Sequence, residues 1–158
     1  MPVLSLPETA AFRDSLRVQH RPLVLTNGIF DLLHIGHVDY LEKARALGGA
    51  LVVGINGDDS ARQLKGVDRP FVPAVERAQL IAALRCVDAV LIFDDLTADN
   101  LLRALRPDIY VKGGDYADQP LPEAETARAV GAQIVLIDYL PGHSTTALIK
   151  RIMSGDRE

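Results

Sequence analysis

Short, continuously apolar runs alternate along this chain with longer segments in which apolar residues recur at helical spacing. Five runs have the length and the Val, Ile and Leu content of strands: Leu23–Thr26, Leu51–Ile55, Ala89–Phe93, Ile109–Lys112 and Gln133–Ile137. The runs LVVGI and AVLIF are apolar on both faces, as parallel strands covered by helices on each side are. The alternation predicts an α/β fold, a Rossmann-like doubly wound domain with a five-stranded parallel sheet.

Helical periodicity fills the intervals between these runs. We expect helices near 36–47, 74–85, 97–105, 122–130 and 144–153, and an earlier helix that begins at Ser5, where Ser5-Leu6-Pro7-Glu8 is a capping-box pattern. Residues 56–73 are weakly apolar and rich in glycine, proline and charge, which favours a mobile loop over a site. A length of 158 residues predicts a single domain, 1–158, with residues 1–20 as an N-terminal helical extension.

Composition narrows the classes of partner. The net charge of -4 disfavours a protein that holds nucleic acid through bulk positive charge. A single cysteine excludes an internal disulfide framework and a multi-cysteine zinc site. The chain shows neither a basic, apolar signal-peptide pattern at its start nor an apolar run of membrane-spanning length. We therefore expect a cytoplasmic protein with no nucleic-acid or membrane partner.

The residues that follow the first predicted strand concentrate the chemistry, because ligands of open parallel sheets bind beyond the carboxyl ends of the strands. Asn27-Gly28-Ile29-Phe30-Asp31 leads into His34-Ile35-Gly36-His37, and a helix is predicted to begin there. The spacing places His34 and His37 on one side of the first helical turn, where unpaired N–H groups favour phosphate. Gly36 removes a side chain that would block its approach. The alternative is that His34 only caps the helix and His37 is a surface histidine.

The run TNGIFDLLHIGH resembles the signature of the HxGH nucleotidyltransferase superfamily. Lys65 with Arg69-Pro70, Glu76-Arg77, Arg85 and the run GHSTT resemble further motifs of its cytidylyltransferase-like branch, so the resemblance covers about residues 22–153. Within that branch, INGDDSARQLKG, RPDIYVKGGDY and GHSTTALIKRI are similar to adenylyltransferases that activate heptose 1-phosphate.

This resemblance implies an enzyme that joins ATP and D-glycero-β-D-manno-heptose 1-phosphate to give ADP-heptose and pyrophosphate, for the synthesis of lipopolysaccharide core precursors. It also implies Mg²⁺ as cofactor, small-molecule substrates as partners and a homodimer. The alternative within the family is a CTP-dependent, glycerol-phosphate-type cytidylyltransferase. Such enzymes usually carry Arg-Thr-Glu-Gly where this chain has Tyr139-Leu140-Pro141-Gly142, which weighs against cytidine.

The resemblance also implies roles for individual residues. The expected catalytic residues are His34, His37 and Lys65. The expected nucleotide-binding residues are Asn27, Gly28, Ile29, Phe30, Gly36, His37, Gly113, Ser144, Thr145 and Thr146. The expected substrate-binding residues are Asp31, Lys65, Arg77, Arg85, Lys112, Asp115 and Tyr116. No dedicated metal site is expected: Mg²⁺ would bind mainly through phosphates, with Asp115 as a possible contact.

Several of these expectations have simple structural alternatives. Lys65 would otherwise be a solvent-exposed loop lysine, and Asp115 would otherwise be a turn-forming residue. Arg77 and Arg85 are eight residues apart and are expected on one face of a helix, where they either contact phosphate or only face solvent. Ser144-Thr145-Thr146 either contact the triphosphate or only cap the last helix, and the two are compatible.

A function from another class is a phospho-receiver signalling domain, because Asp94-Asp95 follow the third predicted strand and Lys112 the fourth. A receiver domain needs its acidic pair after the first strand, however, and this alternative leaves His34 and His37 without a role.

Overall fold

The structure is a computed structural model that describes residues 2–114 and 120–155. It contains a five-stranded parallel sheet with the strand order β3-β2-β1-β4-β5. The predicted fold class is therefore confirmed, and each predicted strand is present with bounds shifted by two residues at most. The strands are β1 (Leu23–Gly28), β2 (Ala50–Asn56), β3 (Ala89–Phe93), β4 (Ile109–Gly113) and β5 (Gln133–Ile137).

Helices connect the strands and cover both faces of the sheet. Ser5 caps the first helix with the predicted capping box, in which Ser5 and Glu8 bond reciprocally. In chain order the helices are α1 (Leu6–Val18), α2 (Ile35–Ala46), α3 (Asp58–Lys65), α4 (Ala74–Ala82), α5 (Asp99–Leu105), α6 (Ala124–Ala129) and α7 (Thr145–Ser154).

The prediction of a mobile loop over residues 56–73 is wrong in its first half, because α3 occupies Asp58–Lys65. The helix is short and polar, and it buries only Ser60 and Ala61. Its first residue anchors it: Asp58 Oδ1 accepts the backbone N–H of Ala74 and a hydrogen bond from Arg77. These partners lie far along the chain, so local composition did not reveal the helix.

Alternation along the buried strands divides the core into two layers. Leu23 and Leu25 pack on the face that α1, α5 and α6 cover, whereas Val24 packs on the face that α2 and α4 cover. The predicted N-terminal extension is part of this packing, because Leu16 of α1 is fully buried.

Two aspartates fix the amino-terminal edge of the sheet. Asp108, just before β4, accepts the backbone N–H of Leu23 at 2.7 Å and pairs with Arg13 of α1 at 3.1 Å. Asp88, just before β3, accepts the backbone N–H of Leu51 at 2.8 Å and pairs with Arg45 at 2.9 Å. Each carboxylate therefore joins two neighbouring strands and one helix at the edge opposite the carboxyl ends of the strands.

Candidate active site

A cavity of about 860 Å³ runs along the carboxyl edge of the sheet, from residues that follow β3 to the start of α7. It spans β1 and β4, where the strand order reverses and where open α/β sheets bind ligands. Its volume lies toward the upper end of the range of about 300–1,000 Å³ for small-molecule sites.

Most residues predicted from the sequence line this cavity. All ten predicted nucleotide-binding residues do so, together with His34, Lys65, Asp31 and Lys112. Lys65 is the exposed last residue of α3. Asp115 and Tyr116 lie outside the described residues. Binding and catalysis by the lining residues stay predictions.

The two histidines form the first turn of α2. His34 is the N-cap residue, and its Nδ1 accepts the backbone N–H of Gly36 at 3.2 Å. His37 Nδ1 accepts the backbone N–H of His34 at 3.4 Å, and the two rings stack with centroids 3.9 Å apart. His34 does cap the helix, as the structural alternative supposed, and it lines the cavity as well.

These hydrogen bonds determine which nitrogen of each neutral ring carries the proton. A nitrogen that accepts an N–H carries no proton, so the neutral imidazoles hold their proton on Nε2. Burial, and then the neighbouring His34, lower the pKa of His37 to about 4, and burial followed by His143 lowers the pKa of His34. At neutral pH the site therefore offers two uncharged rings whose Nε2–H groups can donate to an anion.

The N-terminus of α7 meets that of α2 at Gly36. A Cβ atom on Gly36 would lie 3.0 Å from the His34 ring and 3.2 Å from His143 Cβ, so any larger residue would have to push these neighbours aside by a few tenths of an ångström. Ser144 caps α7 by accepting the backbone N–H of Ala147 at 3.1 Å. Two helix N-termini, each with a positive partial charge, thus open on the same cavity. His143, a residue of the run GHSTT for which no role was predicted, lines the cavity at this junction.

Arg77 is not available to a phosphate in this cavity. Its side chain is fully buried and donates to the carbonyl oxygens of Ile29 and Val72 and to Asp58 Oδ1. The bond to Ile29 holds the loop after β1, in which Phe30 adopts a φ of +49° and packs its ring 5.2 Å from that of His37.

The expectation that Arg77 and Arg85 share a helix face is wrong, because α4 ends at Ala82. Arg85 is exposed and does not line the cavity. Arg77 donates to acceptors on three separate segments of the chain and not to a substrate. A pattern of charges along one helix could not reveal these acceptors.

Asp31 is a buried anchor for the loop that follows α3. Its carboxylate accepts the backbone N–H groups of Phe71 and Val72 at 2.9 Å and the Nε–H of Arg69 at 2.6 Å. Burial alone would raise the pKa of Asp31, but these three donors outweigh it and lower the pKa. Asp31 lines the cavity with its oxygens already engaged, so direct contact with substrate, as predicted, would compete with these bonds.

The cavity's wall between β1 and α6 contains a buried ion pair. Lys112 Nζ donates to Asn27 Oδ1 at 3.1 Å and lies 3.6 Å from Glu123 Oε1. Burial lowers the pKa of Lys112, and Glu123 partly opposes this shift. Glu123 lines the cavity and was missed from the sequence, because a lone glutamate in the run PLPEAE forms no motif.

Tyr139, which follows β5, packs against the end of β4. A Cβ atom on Gly113 or Gly114 would lie 2.8 or 2.7 Å from its ring, so the ring lies directly on that backbone. The ring is exposed and lines the cavity. The one sequence signal for Tyr139 was its place in Tyr139-Leu140-Pro141-Gly142, the run that differs from the glycerol-phosphate enzymes.

The described residues form no group of three or more His, Cys, Asp or Glu side chains that could hold a metal ion. Within 2–114 and 120–155, no helix is long and apolar enough to cross a membrane.

Comparison with known proteins supports the resemblance. Two relatives, both named bifunctional protein HldE, are 49% identical over 90% of this chain in Syntrophotalea carbinolica and 48% identical over 97% of it in Streptomyces coelicolor. The chain spans only 30% and 34% of the length of these relatives.

Solved structures agree with this fold. A lipopolysaccharide core biosynthesis protein from Thermoplasma volcanium is 28% identical with a TM-score of 0.62, covering 76% of this chain and 97% of its own. A pantoate–β-alanine ligase from Francisella tularensis, at 13% identity and a TM-score of 0.64, covers 99% of this chain and 80% of its own and shares the fold alone.

The family model described as cytidylyltransferase-like matches residues 25–151, a span that holds both histidines, the cavity and the start of α7. The receiver-domain alternative loses its support with this match. On these grounds the chain belongs to the cytidylyltransferase-like family and is a nucleotidyltransferase.

Proposed function

We propose that this chain transfers the adenylyl group of ATP to D-glycero-β-D-manno-heptose 1-phosphate, giving ADP-heptose and pyrophosphate. The observation that carries the phosphate chemistry is the meeting of two helix N-termini at Gly36, beside two neutral histidines. The relatives named HldE and the lipopolysaccharide core biosynthesis protein support the choice of a heptose acceptor.

The reaction needs no general base, because the entering phosphate is already an anion. An oxygen of the sugar phosphate attacks the α-phosphorus, the bond to the oxygen that bridges the α- and β-phosphates breaks, and pyrophosphate leaves. Negative charge then builds on the non-bridging and leaving oxygens. The Nε2–H groups of His34 and His37 and the N-termini of α2 and α7 are donors suited to that charge.

Lys65 would complete this set from the other side of the cavity. It is exposed at the end of α3 and lines the cavity, so its ammonium group can approach the phosphates without being buried first.

We propose that Mg²⁺ accompanies the triphosphate as its counter-ion. Mg²⁺ characteristically keeps its waters and binds through one or two carboxylates together with substrate phosphates. In the described cavity the carboxylates of Asp31 and Glu123 are separate and each is already paired with a cation, so Mg²⁺ would be held mainly through the substrate phosphates. A homodimer also stays a prediction.

The test is a matrix of nucleoside triphosphates against phosphorylated acceptors, scored by pyrophosphate release. ATP with the heptose 1-phosphate should give the highest kcat/KM. A higher value for CTP with glycerol 3-phosphate would overturn the heptose assignment while leaving nucleotidyl transfer intact.

A further inference from the structure

Glu123, just before α6, has one carboxylate oxygen to which none of the described residues donates a hydrogen bond. Its side chain is almost completely buried, and Oε1 accepts the backbone N–H of Ala98 at 3.2 Å and lies 3.6 Å from Lys112 Nζ. Oε2 is buried and has no hydrogen-bond partner among the residues that the structure describes. Glu123 is one of the residues that line the cavity, so a molecule bound against this wall is the nearest source of the missing donor.

The charges at this wall determine which donor fits. Lys112 neutralises Glu123, so the pair has no net charge with which to attract a phosphate. An ammonium group so close also disfavours a metal cation. A hydroxyl group meets both conditions, because it is neutral and donates one hydrogen bond to a carboxylate.

Glu123 and the proposed phosphate-binding residues belong to different parts of the cavity wall. Glu123 lies beside β4 on the side of α5 and α6, and Thr97, which precedes α5, also lines the cavity there. The helix N-termini of α2 and α7 and the two histidines lie together at Gly36. A molecule that reaches both places carries a phosphate at one end and hydroxyl groups at the other.

We propose that Glu123 Oε2 accepts a hydrogen bond from a hydroxyl group of the polyol part of the phosphorylated acceptor, with Lys112 positioning the carboxylate. This inference rests on the proposed function and assigns the acceptor's hydroxyl-binding subsite within it. It makes Glu123 a specificity-determining residue: acceptors without hydroxyl groups leave a buried carboxylate oxygen unpaired and bind less tightly.

Glu123→Gln tests this subsite with little change of shape. The amide oxygen can keep the bond from Ala98, which turns the amide NH₂ toward the position of Oε2. There the NH₂ can only donate to the hydroxyl oxygen, so the charge-assisted bond from the hydroxyl to a carboxylate is lost. Glu125→Gln is the matched control, because it removes the same charge from an exposed position on α6.

Calorimetry in the presence of α,β-methylene-ATP measures the Kd of heptose 1-phosphate, glycerol 3-phosphate and propyl phosphate, the last of which has no hydroxyl group. Glu123→Gln should raise the Kd of heptose 1-phosphate about 10–100-fold, the scale of a hydrogen bond to a charged group, and Glu125→Gln should not. The Kd of α,β-methylene-ATP and of propyl phosphate should change less than about twofold. A rise below tenfold for heptose 1-phosphate, or an equal rise for propyl phosphate or the ATP analogue, overturns the inference.

The proposed function can fail separately. If the wild-type chain binds glycerol 3-phosphate and not heptose 1-phosphate, the heptose assignment fails, and the effect of Glu123→Gln on glycerol 3-phosphate decides the subsite by the same thresholds. Binding of neither hydroxylated phosphate overturns both. If Glu123→Gln does not fold, a crystal structure of the wild-type protein with the bound acceptor and α,β-methylene-ATP decides. An acceptor hydroxyl within about 3.2 Å of the Glu123 carboxylate supports the subsite, and a carboxylate bonded only to water or protein overturns it.

Discussion

The two nitrogens of His37 have separable roles, and two substitutions can distinguish them. Nδ1 accepts the backbone N–H of His34 and so stabilises the first turn of α2. Nε2 carries the proton and is the group that we expect to donate to the reacting phosphates. A glutamine amide nitrogen can lie near the place of Nε2, whereas an asparagine oxygen can replace Nδ1.

The expected magnitudes follow from these contacts. Loss of one preorganised donor to a transition-state anion costs about 2.7–4 kcal/mol, so His37→Ala and His37→Asn should lower kcat about 10²–10³-fold. The bond to His34 is long, at 3.4 Å, so its loss should lower the free energy of unfolding by only about 0.5–1 kcal/mol. His37→Gln should keep more activity than His37→Asn, and His37→Asn should keep more stability than His37→Gln.

Pyrophosphate release at saturating ATP and heptose 1-phosphate gives kcat, and urea unfolding gives the stability of each variant. His34→Ala provides a parallel measurement, because the same donor chemistry predicts a similar loss of kcat. A kcat for His37→Ala within about threefold of the wild type would refute the donor role. Recovery of kcat by asparagine but not by glutamine would show that the cap, and not the donor, matters.

Three further predictions concern pH, Arg77 and Gly36. The pKa of His37 falls from 6.5 to about 4 on folding, so the unfolded chain binds more protons than the folded chain between these pH values. The free energy of unfolding should therefore decline by about 1–3 kcal/mol as the pH falls from 6.5 to 4. In urea unfolding, His37→Asn should flatten this decline. Arg77→Met should lower the free energy of unfolding by about 2–4 kcal/mol through lost hydrogen bonds, whereas Arg85→Ala should change it by about zero. If Arg77→Met instead raised only the KM for substrate, the structural role of Arg77 would be wrong. Gly36→Ala should fold with less than about 1 kcal/mol lost and lower kcat at least tenfold, because its Cβ would displace the His34 ring; an unchanged kcat contradicts this.

The sequence predicted the sheet well because strand and helix periodicities are local properties. It also brought together His34, Gly36 and His37, since they occupy one continuous run at a strand end. The tertiary roles of α3 and Arg77 were not accessible in this way. Their stabilising contacts come from segments far apart in the chain, and a charged residue in such a segment has the same pattern as a solvent-exposed one.

Glu123 illustrates the same limit within the site. Its burial depends on Ala98 and Lys112, which precede it on separate elements. Ser144, in contrast, was predictable both as a cap and as a lining residue, because a helix N-terminus that follows a strand has a local signature. Chemistry that depends on a helix terminus is thus readable from sequence, whereas chemistry that depends on a buried pair requires the fold.

The aspartates that join strands at the amino-terminal edge have a consequence for how this scaffold can change during evolution. Asp88 and Asp108 tie β1 to β4, β2 to β3 and two helices to the sheet at the end remote from the cavity. Substitutions in the residues that recognise the acceptor therefore leave these anchors intact. Substitutions at the cavity can change acceptor preference one at a time. The anchors at the amino-terminal edge meanwhile maintain the free energy of unfolding, so the fold tolerates these substitutions.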